Sequence, residues 1–195
     1  MYAIALFIHV VGVVLLAGAV ALSAACYFAA RRATDIAGLR SALALLPATE
    51  RLMPFAIPLI LLAGLYMVGK HGDDGGIAWS NAWVIVSLVM FVVMAIAGSG
   101  IEGPRLSALH KRALAAPDGA ISPDLDTLRR DPVVRSIMFF GFAMITGFLF
   151  LMTVKPEPVI SAVAVPVVAT IVFLGLAQLA FRKETSAPPL HTDIQ

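Results

Sequence analysis

Residues 2–30 read YAIALFIHVVGVVLLAGAVALSAACYFAA, an apolar run interrupted by no Asp, Glu, Lys or Arg. The hydrocarbon core of a bilayer is about 30 Å thick and takes about 20 helical residues to cross. Strands are far shorter than this run. Lipid also admits only elements whose backbone hydrogen bonds close internally, so the stretch predicts a membrane-spanning helix. The same pattern recurs at 52–69, 82–101, 136–154 and 159–181. The expected fold is therefore an all-α polytopic transmembrane helix bundle of five spans over residues 1–181. An inner loop covers 102–135, and 182–195 forms a disordered cytoplasmic tail. Composition agrees: 60% of residues are hydrophobic and 13% charged, against about half and a quarter in soluble domains. A water-soluble enzyme and a nucleic-acid module are excluded, since one soluble core of this size would leave much of that apolar surface in water. The single cysteine, Cys26, excludes an intramolecular disulfide framework.

The connections carry an orientation. With the N-terminus outside, the inner segments hold Arg31, Arg32, Arg40, Arg51, Arg105, Lys111, Arg112, Arg129, Arg130, Arg135, Arg182 and Lys183, twelve of the 14 Lys and Arg residues. Only Lys70 and Lys155 fall outside. That asymmetry predicts N-terminus out and C-terminus in, and it fits a bacterial inner (plasma) membrane. Tyr2, Tyr66, Trp79 and Trp83 then gather at the outer interface, where amphipathic rings are favoured. The small residues Ser23-Ala24-Ala25 mimic a leader cleavage site. However, no basic residue precedes the run, and it far exceeds the 7–15 residues of a signal core, so a retained helix is expected. Pro54 is expected in the first turn of the second span, and Pro58 is expected to kink it. Lys155-Pro156-Glu157-Pro158 makes the last two spans antiparallel neighbours. Ile36, Leu39, Leu43 and Leu46 form an apolar face expected to lie along the inner interface.

Chemistry-bearing residues are few. His9 is the sole ionisable residue well inside a span, about seven residues or roughly 10 Å below its outer end. Intramembrane ionisable groups are functional candidates by default. Gly12, one turn on, lets something bulky approach the ring. Neutral imidazole ligates haem iron or copper, with thioether sulfur as the soft companion. Met90, at matching depth in the third span, is the first partner for His9 in holding haem b or copper, and Met94 the second. The plainer reading has His9 donate a hydrogen bond to a neighbouring helix and the methionines fill the core. Lys70-His71-Gly72-Asp73-Asp74 reads as a solvated turn, lacking the fixed geometry a metal requires. Glu50 with Arg51, and Glu102 with Arg105, read as interfacial pairs reaching toward the inner surface. Cys26, remote from any basic neighbour, reads as inert packing. No nucleophile motif or phosphate loop is present, and enzymatic activity is not expected.

Two stretches resemble a known family: Leu6-Phe7-Ile8-His9-Val10-Val11-Gly12 continuing to Gly18, and Phe150-Leu151-Met152-Thr153-Val154-Lys155-Pro156. With the span spacing, they resemble the predicted bacterial integral membrane proteins grouped as domain of unknown function 2269. There an opening His-x-x-Gly-x-x-x-Trp-x-Gly helix precedes a late Met-x-x-Lys-Pro. The resemblance covers Met1–Pro156, with the last helix as an addition. The first helix is also similar to copper-resistance D proteins and to bacterial membrane protoporphyrinogen oxidase, which implies a first-helix histidine tied to metal or haem. Leu16 stands where the tryptophan would be, Ala19 follows Gly18, and the third span lacks the oxidase's lysine. Only His9 and Gly12 carry over.

Three functions follow as expectations. The first is a bundle holding haem b or copper near its outer face through His9. The second is a non-catalytic accessory or scaffold subunit, a partner of other membrane subunits or of its own copies. It would associate through small-residue faces at Gly98, Gly100 and Gly103 or at Gly141 and Gly147. The third is a small-molecule transporter bent at Pro58 and Pro166. All three have the lipid bilayer as surroundings and no nucleic-acid partner.

Overall fold

The computed structural model describes residues 1–71 and 77–185. Its helices are α1 (Tyr2–Arg32), α2 (Ile36–Leu43), α3 (Leu46–His71), α4 (Ala82–Ala95), α5 (Gly103–Ala115), α6 (Pro123–Arg129), α7 (Pro132–Val154) and α8 (Val159–Thr185). A π-helical segment, Ile96–Glu102, joins α4 to α5 without a break. Five helical stretches are long and apolar enough to cross a membrane, and no strand occurs among the described residues. Large apolar side chains such as Phe7, Phe55, Leu62, Ile96 and Ile171 face outward, as they do where lipid is the solvent. The chain is an integral, multi-pass membrane protein.

Helix ends follow local chemistry. Asp35 caps α2 by accepting from the Gly38 amide at 2.7 Å, and Asp131 caps α7 by accepting from Val133 at 2.8 Å. Pro123 and Pro132 occupy first-turn positions of α6 and α7, where a missing N–H costs nothing. The carbonyl ends are closed by arginines. Arg129 Nη1 donates to the carbonyls of Ala30 (3.2 Å), Arg31 (3.4 Å) and Ala33 (2.5 Å) at the end of α1. Arg40 donates to those of Ala113 and Ala116 at the end of α5. A guanidinium supplies several fixed donors plus a charge favourable to the negative end of a helix.

Some boundaries differ from expectation. α3 begins at Leu46, so Pro54 lies inside the helix rather than in its first turn. α8 continues through Thr185, past the expected boundary at 181, and 186–195 lie outside the described residues. The apolar face of α2 is not spread on the membrane surface. Ile36, Leu39 and Leu43 are at most 1% exposed and pack with Tyr27, Leu109, Val134 and Met138. The spacing of apolar residues fixes which side of a helix avoids water and leaves open whether protein or lipid covers it.

That cluster holds most of the largest fully buried side chains among the described residues and lies at the arginine-rich end. At the opposite end Val68, Trp83, Met90, Met144 and Leu151 form a second core. Leu16, Ala56 and Ile60 form a third between α1 and α3. α1 pairs mainly with α3, and α7 with α8, while α4 packs on both α7 and α8.

Candidate functional site: the His9 imidazole

The site begins with a missing side chain. A Cβ built on Gly12 would stand 2.8 Å from Ile60 Cγ1 and 2.9 Å from the Ile60 backbone nitrogen. α1 therefore approaches α3 as only glycine permits. One turn earlier on the same face of α1, His9 reaches the α3 backbone, and its Nδ1 lies 2.8 Å from the Ile60 carbonyl oxygen. Gly64, one turn further along α3, leaves room for the ring, since a Cβ there would come 3.4 Å from both Nδ1 and Cε1. The side chain is 8% exposed.

The bond assigns the tautomer. A carbonyl oxygen only accepts, so Nδ1 carries a proton, and in a neutral imidazole Nε2 keeps its lone pair. Metal-bound histidines commonly have this arrangement, with the far nitrogen donating to a backbone carbonyl and fixing the ring. It is also the hydrogen bond of the plainer reading. Both uses are chemically compatible.

The methionines divide. Met94 packs against the Leu16, Ala56 and Ile60 cluster, beside the α1–α3 contact. Met90 points its methyl end to α7 and α8, with Cε 2.8 Å from where a Gly147 Cβ would be and the Pro166 ring also against that glycine. Matching depth puts Met90 at the right height, but height says nothing about rotation about the helix axis. Among the described residues no three His, Cys, Asp or Glu side chains come together. Methionine sulfur apart, no three-residue donor set of the kind a copper ion requires forms among the described residues, whereas a single imidazole is enough to hold haem iron. Asp73 and Asp74, which the sequence reads as part of a solvated turn, lie outside the described residues.

Two pairings differ from the sequence reading. Arg105 does not pair with Glu102; its Nη1 lies 2.5 Å from Asp131 Oδ2. Glu102 instead accepts from Ser23 Oγ on α1 at 3.2 Å. The spacing of Glu102 and Arg105 permits a pair on one helix, and nothing in the sequence showed that Asp131 would lie closer to the arginine. In the segment between α5 and α7, burial raises the Asp126 carboxyl. The hydrogen bonds and charges of Arg130 and Arg129 outweigh this and hold it below the ordinary carboxylate value.

A family model described as Predicted integral membrane protein (DUF2269) matches residues 3–156. The chain belongs to this family. In this DUF2269 protein the matched region begins ahead of His9, ends at Pro156 in the α7–α8 turn and leaves α8 outside. No curated protein and no solved structure matches the chain, so the first-helix likeness to copper-resistance D proteins and to the oxidase has no counterpart there.

Proposed function

We propose that this DUF2269 protein sits in the bacterial inner membrane with its N-terminus outside and handles haem b or copper near its outer face through His9. The observation that carries the reading is the Nδ1–H bond to the Ile60 carbonyl, which orients the ring and leaves Nε2 as a bare donor. That no three His, Cys, Asp or Glu side chains come together among the described residues favours haem b over copper. His9 would hold the haem through Nε2, Gly12 and Gly64 would support the ring's position, and the group would supply one-electron chemistry. Met90 takes no part in this arrangement.

The test is the visible spectrum of the detergent-purified protein after haem b is supplied, with copper analysis in parallel. A Soret band in wild type that is lost in His9→Ala supports the haem reading. No band, or the same band in both proteins, removes it. Copper retained by wild type and lost in His9→Ala would transfer the role to copper.

A second reading is an accessory subunit that meets partner helices. It is favoured by Gly98 and Gly100, where an added Cβ would meet nothing within 4 Å, so both small residues face outward. Gly141 and Gly147 contact Val20, Met90 and Pro166 inside the bundle. Recovery solely as a free monomer after gentle extraction counts against it.

A further inference from the structure

Between α4, α7 and α8 the bundle opens sideways in an apolar cleft of about 460 Å3, walled by Val89, Val93, Met144, Val163 and Val167. The one hydroxyl on its wall, Thr170, donates to the Pro166 carbonyl at 2.8 Å. The cleft thus offers an occupant no hydrogen bond from a side-chain hydroxyl. Its limits on α8, Val163 and Ile171, are about 12 Å apart at 1.5 Å per residue.

Beyond one end of the cleft lies the α7–α8 turn, where the polar groups are. Lys155 caps α7 in the left-handed region with φ 49°, a conformation that L side chains adopt at a cost. Its Nζ stands 5.7 Å from the centroid of the Trp83 ring. The neighbouring carboxylate, Glu157, is engaged elsewhere, accepting from Asn81 Nδ2 at 2.8 Å. Lys155 therefore presents an exposed positive charge, held in place by an aromatic face, directly beyond an apolar channel. From Val159 to Ile171 is about 18 Å, close to the depth of one leaflet.

We propose that the cleft seats an acyl chain of an anionic phospholipid whose phosphate is held at Lys155. The volume and apolar wall suit one acyl chain, the run of about 12 Å along α8 fits within one leaflet, and the charge at the mouth selects the headgroup. A lysine near the membrane surface gives roughly fivefold preference for an anionic lipid. The site is independent of His9.

Trp83 reports on the site directly. In a Trp79→Phe background it is the sole tryptophan, since the chain has two. The protein is reconstituted into vesicles containing acyl-brominated phosphatidylglycerol or brominated phosphatidylcholine, and quenching is measured against bromolipid fraction. The expected result is about fivefold tighter association of the anionic lipid, unaffected by added inorganic phosphate. Lys155→Gly should abolish the preference while keeping the helix end, because glycine is at home in that backbone conformation. Val89→Phe, which fills the cleft, should also reduce it. Equal quenching by the two lipids in the Trp79→Phe protein overturns the proposal, as does a preference that survives Lys155→Gly. Competition by inorganic phosphate points to an anion site without a lipid and overturns it too. A preference untouched by Val89→Phe removes the cleft from the site.

Discussion

His9 and Gly12 lie one turn apart on α1 and both meet Ile60 of α3, the first through a 2.8 Å hydrogen bond to its carbonyl and the second through the absence of a side chain. The contact and the bond depend on each other, since the imidazole reaches the α3 backbone only if the helices come this close. Gly12→Ala places a Cβ against backbone as well as side chain, and backbone yields least. It should destabilise the detergent-solubilised protein by about 1–3 kcal/mol. Gly64→Ala, whose Cβ meets the ring at 3.4 Å, should cost less. Gly18→Ala meets nothing within 4 Å and should be neutral. Thermal unfolding of the three variants checks the order, and equal losses at Gly12 and Gly18 would refute the close-approach account.

Arg129 makes a sharper demand. It is 7% exposed, closes three carbonyls at the end of α1 and pairs with Asp126 at 2.5 Å. Arg129→Leu keeps some volume and removes every guanidinium donor from the part-buried Arg31 and Ala33 carbonyls, while Ala30 keeps only the Ala33 amide. A loss of about 3 kcal/mol is expected. Arg129→Lys should recover only part of it, because an ammonium lacks the planar fork. Denaturant unfolding measures both, and full rescue by lysine would show that charge alone matters.

Asp126 gives that end of the molecule an acid limit. Burial pushes its folded carboxyl up, but Arg130 and Arg129 more than offset this and hold it below its usual value of 3.8. The stability it contributes is therefore fully present above the unfolded value and is lost as pH falls through the folded one. Between pH 8 and 5 this group should add no pH dependence. Below about pH 4 the unfolding temperature should fall in wild type, and by less in Asp126→Asn. Because the carboxylate is 41% exposed, moderate salt should weaken the effect. Identical acid profiles for the two proteins would exclude Asp126 as a contributor.

The five spans were legible because lipid imposes a length and a composition on each, and a run such as residues 2–30 has no other stable state. The break at Lys155-Pro156-Glu157-Pro158 was legible through proline. His9 was legible as a candidate because burial of an imidazole in lipid is costly wherever it occurs. Its partner was not, since backbone carbonyls exist at every position and carry no sequence signal. Met90 matches His9 in height alone, and packing on Gly147 turns it toward α7 and α8. Ile36, Leu39 and Leu43 share one face, as their spacing requires, yet whether α5 or the bilayer covers them depends on tertiary contacts between segments about 70 residues apart. The same limit hid the pairing of Glu102 with Ser23.

That last pair supports a test of how the π-helical segment is tied to α1. Ser23 is buried, and its hydroxyl is the described hydrogen-bond donor to Glu102, which ends the segment. Removing one partner strands the other, whereas removing both leaves an apolar contact. Ser23→Ala should therefore destabilise by about 1–2 kcal/mol. In Glu102→Leu the serine can turn to a carbonyl of its own helix, as Ser87 does to Trp83 at 2.7 Å, so the cost should be smaller. The combined variant should be more stable than Ser23→Ala alone, because no carboxylate is then left without its donor. Unfolding of the four proteins in a double-mutant cycle measures the coupling. If the two losses simply add, the hydroxyl does not serve the carboxylate, and the segment is held to α1 by packing alone.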